Sequence, residues 1–289
     1  MIQLENEYIL VKAKQAGAEL TSLCLKEDGT EYLWQADPTY WGRHAPILFP
    51  IVGQINDNTC YVDGKEFHMT QHGFARDMTF DIVKQSNDSV SFILHSNAET
   101  KQKYPYDFAL TVTYTLQEKS VIVTYDVQNK QDSTMHFSIG AHPAFNVPLV
   151  EGETFEDYVL TFPQEEKIET HLLNGSKLSL EKRTLMNDTK KLPLNRELFD
   201  IDTIILENMR NDEITLSSTK SNKHVRMQFA GFPYLGIWTQ AGNAPFLCIE
   251  PWFGVADVVG KPRELKDKKG IEILAANETF SCTYTITIG

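Results

Sequence analysis

The chain of 289 residues is 42% hydrophobic and 23% charged, ordinary globular usage that excludes disorder, collagen and coiled coil. Its 39 acidic against 27 basic residues give a formal net charge of −12, which repels a phosphate backbone and argues against nucleic acid as a partner. No stretch approaches the ~18 uninterrupted apolar residues of a membrane-spanning helix, and the start Met1-Ile-Gln-Leu-Glu-Asn-Glu-Tyr8 is acidic where a signal peptide is basic and then apolar.

A soluble, cytoplasmic protein with no membrane partner is therefore expected. Cys24, Cys60, Cys248 and Cys282 are scattered, without the spacing of a zinc site or a redox pair, and are read as reduced thiols. At ~150 residues per domain the length suggests two domains, but one large all-β domain absorbs as much. Residues 1–289 are read as a single domain.

In chain order, Pro38-Thr-Tyr-Trp-Gly42 allows one helical turn, and Ser89-Val-Ser-Phe-Ile-Leu-His95 alternates as a strand. Asn97 to Lys103 reads as a short helix stopped near Pro105. Phe108–Leu116 and Val121–Val127 alternate again, with polar clusters between them. From about Phe162 to Asp200 the pattern loosens around Asn174-Gly175, which suggests loops and short hairpins. Gly270–Leu274, a polar turn and Phe280–Ile288 read as a terminal hairpin. Short strands at close intervals predict an all-β, antiparallel sandwich.

Four segments set polar or ionisable groups among glycine, proline and aromatic residues: Gly42–Pro50, Gln71–Asp77, Gly140–Asn146 and Cys248–Gly254. Such groups belong where a rigid scaffold meets functional loops. If Cys248–Gly254 is a strand, residues 248, 250 and 252 share one face. Glu250 then stands beside Trp252, and a carboxylate next to an apolar ring face suits a sugar, with its hydroxyls and C–H patches. Partial burial would raise its pKa and make it a useful base. The alternative is a structural partner for an arginine.

His142 and His72 can each move a proton near neutrality or simply satisfy a core carbonyl. Arg43 and Arg76 can donate to ligand oxygens or form ion pairs. His68 and His72 are four apart, which would suit a metal only on a helix, and Gly73 argues against one. No metal is expected. The sequence has neither a Gly-x-Ser-x-Gly elbow nor a phosphate-binding glycine loop.

With these segments in order, the chain resembles the aldose 1-epimerase (galactose mutarotase) family, and within it the LacX-like branch, over nearly its whole length. The resemblance implies a β-supersandwich that interconverts the α and β anomers of a free aldose without a cofactor. It implies that Glu250 is the general base, His142 the general acid, His72 a second, substrate-binding histidine and Arg43 a sugar contact. The acid that holds distal hydroxyls matches Asp202 in Leu198–Leu206, with Asp200 as the alternative. Trp252 and Arg76 complete the expected sugar-binding set. The chain carries His72-Gly73-Phe74 where galactose mutarotases have His-Gly-Gly, which leaves the sugar open.

Two other readings use the same residues. A hexose-6-phosphate 1-epimerase would need cations at the rim, which Arg76 and Lys261-Pro-Arg263 could supply. A non-catalytic sugar-binding module would keep the cavity without needing a matched proton donor and acceptor.

Overall fold

The computed structural model describes residues 1–200 and 202–289, and among these the chain is almost entirely antiparallel β. The largest sheet runs in the order Lys177–Pro193, Tyr158–Asn174, Glu213–Ser218, His224–Gln228, Thr279–Ile288, Ser120–Asn129, Phe108–Gln117, Ser89–His95 and Asp81–Gln85. A second sheet runs Ile204–Glu207, Tyr234–Trp238, Phe246–Phe253, Ile139–Ala141 and Ile47–Leu48, with Ala144–Asn146 also paired to Phe246–Phe253. Ile2–Glu5, Ile9–Ala13 and Leu20–Leu25 form a smaller sheet.

The alternation read from sequence is what packs the two main sheets together. Val90, Phe92, Leu110, Val112, Val121, Val123 and Ile286 project from the large sheet into one core, and Ile204, Leu235, Ile237, Leu247 and Ile249 meet them from the other side. Polar residues alternate outward, as the burial of Ser120–Asn129 records at every second position. The expected short helix forms at Ala98–Lys103, with the Asn97 side chain accepting from the Glu99 and Thr100 N–H groups. No helix of the described residues is long and apolar enough to cross a membrane.

Two expectations fail. Residues 162–200 do not form loops and short hairpins: Tyr158–Asn174 and Lys177–Pro193 are 17-residue strands of one long hairpin, and Asn174 and Gly175 lie at its tip. Register shifts interrupt this pair at four places, and each bulge breaks the period of two that would have revealed the strands. The carboxyl end forms no hairpin either, because Glu272–Leu274 pairs with Met135–Phe137. Thr279–Ile288 instead pairs with Ser120–Asn129 on one edge and His224–Gln228 on the other. Just before the turn, the carbonyls of Leu274 and Ala275 accept from Asn129 Nδ2.

Candidate active site

The strand Phe246–Phe253 is buried on both faces. Leu247 and Ile249 enter the sandwich core, so Cys248, Glu250 and Trp252 share the opposite face, as the alternation predicts. On one side Gly236 lies opposite Glu250, and on the other Gly140 lies opposite Trp252. Both glycines are there for the indole: a Cβ on Gly236 would sit 2.3 Å from Trp252 Cζ2, and one on Gly140 would sit 2.5 Å from its Cδ1. Trp252 is thereby wedged into the floor and is 4% exposed.

That face opens onto a cavity of about 420 Å³ lined by Glu250, His142, His72, Asp202, Arg76 and Trp252 together with Tyr40, Trp41, Gln71, Trp238 and others. His142 sits between the strands Ile139–Ala141 and Ala144–Asn146. Its ring stacks on Trp41, with centroids 4.8 Å apart, and meets the edges of Trp238 and His72. His142 Nε2 lies 3.2 Å from Glu250 Oε2, though without the alignment of a hydrogen bond. No lysine or arginine of the described residues pairs with Glu250, so the alternative of a structural ion pair with arginine finds no support.

His72 occupies the left-handed region at φ 69° in a turn pinned by His72 N–H donating to the Gly53 carbonyl and Phe74 N–H to that of Phe49. Gly73 follows at φ 70°, where a Cβ would meet the Phe49 oxygen at 2.3 Å. The Gly53 N–H donates to His72 Nδ1 at 3.1 Å, so the neutral ring carries its hydrogen on Nε2. His68 lies apart, on the strand Lys65–His68, with its Nδ1 beside the Thr59 hydroxyl.

Burial sets the proton affinities. It pushes the Glu250 carboxyl well above the usual carboxylate range, with the Asp202 charge adding to the effect. It drives His142 down to about 3 and holds His72 well below its ordinary value, and Arg76 and Arg43 act on both rings in the same direction. Burial also raises Asp202. For the facing pair, both shifts favour the uncharged forms, a carboxylic acid on Glu250 and an imidazole on His142, and shifting one proton between them gives carboxylate and imidazolium with no change in proton count.

The two arginines differ. Arg76 lines the cavity, with Nη2 donating to the Gln71 carbonyl and a buried Nε that no protein atom satisfies. Arg43 is not among the lining residues and donates to Asp77 Oδ1 at 2.8 Å. Of the two candidate acids, Asp202 lines the cavity while Asp200 is exposed. Lys261 and Arg263 are not lining residues.

Sequence reasoning missed the aromatic wall and the far side of the cavity. Trp41 follows a turn in which its N–H donates to the Asp37 carbonyl, and Trp238 shares a strand face with Gly236, a signal that alternation in Tyr234–Trp238 could have given. Leu173 and Ser176 reach the cavity from the tip region of the long hairpin, which the sequence did not reveal.

The chain matches the family described as aldose 1-epimerase over residues 1–270. It is 40% identical over 296 residues to the LacX protein of Lactococcus lactis subsp. lactis, covering 99% of both chains. Its structure is similar to that of a galactose mutarotase related enzyme from Lactobacillus acidophilus, with TM-score 0.96, 34% identity and coverage of 100% and 97% of the two chains. A galactose mutarotase-like protein from Lactobacillus casei aligns over 100% of both chains, with TM-score 0.95 and 35% identity.

Proposed function

The chain belongs to the aldose 1-epimerase family and is an isomerase of small sugars, and from that premise we propose that Glu250 and His142 move the protons. Opening a pyranose requires one proton to leave the C1 hydroxyl as another reaches the ring oxygen. Glu250, as carboxylate, takes the first; His142, as imidazolium, gives the second. The open aldehyde turns about C1–C2 and recloses on its other face with the roles reversed. The observation that carries this reading is the 3.2 Å approach of His142 Nε2 to Glu250 Oε2 at the wall of one cavity. No partner fixes either Glu250 oxygen, which leaves both free for substrate.

The remaining contacts follow from chemistry. His72, held neutral, donates through Nε2; Asp202 accepts from distal hydroxyls; Arg76 offers its guanidinium at the cavity wall; Trp252 offers an apolar floor. Arg43 acts through its charge on the two histidines and through Asp77. A hexose takes roughly the room of six waters, about 180 Å³, so a cavity of about 420 Å³ supports aldoses that bear a second ring as well as free hexoses.

The lining sets two carboxyl groups, Glu250 and Asp202, against Arg76, which favours a neutral sugar over a phosphorylated one. The matched acid and base favour turnover over mere binding. Free thiols at all four cysteines support a cytoplasmic setting, and the principal core shared by both main sheets supports one domain over residues 1–289.

The test is anomer exchange followed by polarimetry or NMR for glucose, galactose and glucose 6-phosphate. Glu250→Gln is expected to lower kcat at least ~10²–10⁴-fold, the worth of one general acid–base group, while sugar still binds. Near-normal turnover in that variant removes Glu250 from the mechanism, and a preference confined to the phosphosugar reverses the choice of substrate.

A further inference from the structure

Behind the acid–base pair lies a group that proton transfer does not use. Cys248 stands two residues before Glu250 on the same strand face, is fully buried, and packs against Trp34, Ala144 and Phe246. One ligand atom each from His142, Cys248 and Glu250 lie within 4.8 Å of one another. Nitrogen, sulfur and carboxylate oxygen make up the donor set of a zinc site with an open fourth position. Around a tetrahedral zinc such atoms stand roughly 3.3–3.7 Å apart, from bond lengths of about 2.0–2.3 Å, so side-chain rotations on the order of 1 Å close the set. A second observation points to a ligand there: both Glu250 oxygens and His142 Nδ1 are buried with no hydrogen-bond partner.

We propose that His142, Cys248 and Glu250 form a site for a thiophilic divalent cation, zinc above all, at the cavity wall that His142 and Glu250 line. The cation would bond to the thiolate, one imidazole nitrogen and the carboxylate. Binding would release the thiol proton and the proton shared by the pair, with no change in oxidation state. Magnesium, which demands oxygen ligands in octahedral array, does not fit. Occupancy ties up the lone pairs that ring opening needs, so the metal inhibits; this consequence rests on the catalytic reading above.

The probes are Zn²⁺ in the exchange assay and Co²⁺ in absorption spectroscopy, each with wild type, Cys248→Ala and Cys248→Ser. Wild type is expected to be inhibited reversibly by Zn²⁺, restored by a chelator and indifferent to Mg²⁺, and to show a thiolate-to-Co²⁺ charge-transfer band. Either variant is expected to keep turnover, to need at least ~10-fold more Zn²⁺ and to lose the band. Absence of the band in wild type, or Zn²⁺ sensitivity unchanged in a folded variant, overturns the site. Should Co²⁺ bind through the thiolate and leave exchange untouched, the metal site stands and the catalytic assignment of Glu250 and His142 falls.

Discussion

An ionised carboxylate taken out of water costs several kcal/mol unless it is paired, and Glu250, 1% exposed, faces only a neutral-leaning imidazole. Its folded pKa is raised, so the folded chain holds a proton that the unfolded chain has lost. The stability this contributes is fully present below the unfolded value of ~4.3 and is lost as pH rises through the folded one. Glu250→Gln keeps the shape and removes the charge. Its melting curve is expected to coincide with that of wild type in mild acid and to lie above it in mild alkali, the cost of a functional group that the fold tolerates. Equal melting temperatures at every pH would show that the carboxylate is not held dry.

His72 makes a sharper point about atoms. Because Gly53 N–H already donates to Nδ1, the hydrogen available to a sugar is the one on Nε2. A glutamine amide can reach the Nε2 position and an asparagine amide only the Nδ1 position. His72→Gln is expected to retain most of the sugar affinity, and His72→Asn to raise KM ~10-fold or more, about the worth of one lost hydrogen bond left unsatisfied. The reverse ranking in KM would assign the wrong tautomer. The residue types at 72, 142 and 250 were legible in sequence, whereas this tautomer depends on a backbone donor 19 positions away that no local pattern specifies.

At the scale of elements, Phe246–Phe253 presents its catalytic face because a glycine on each neighbouring strand admits Trp252. Gly236→Ala would set a methyl against Cζ2 of the indole, and overpacking of this kind costs about 1–3 kcal/mol. Its midpoint of denaturation is expected to fall and kcat to drop with it, since Glu250 is the residue opposite in register. Full stability in that variant would show that the floor has slack. The strands at 89–95, 108–117, 120–129 and 279–288 were readable because each has one wet and one dry face. The long hairpin was not, because bulges reset its alternation and buried groups such as Glu166 are satisfied by the distant N–H groups of Arg210 and Asn211. A turn signal alone likewise cannot show that both edges of Thr279–Ile288 already have partners.

Over the whole molecule, the two main sheets close one core and leave the outer face of the smaller one to build the cavity. Three of the four polar segments singled out in sequence, Gln71–Asp77, Gly140–Asn146 and Cys248–Gly254, supply lining residues of that cavity, whereas Gly42–Pro50 supplies none. Their convergence is a property of topology: His142 and Glu250 meet because the strands flanking residue 142 both pair with Phe246–Phe253. Residue types announced the chemistry, and only strand order could show which side chains share a cavity. Arg43 and Arg76 illustrate the limit, since both suited a sugar contact by type and both lie near Asp77, yet only Arg76 lines the cavity.

The central claim is that one carboxyl and one imidazole flank a single hemiacetal carbon, and a crystal structure with bound aldose tests it most directly. The account predicts a Glu250 oxygen within about 2.6–3.2 Å of the C1 hydroxyl and His142 Nε2 at the same range from the ring oxygen. A sugar seated with its anomeric carbon at the far end of the cavity, out of reach of both groups, would contradict it.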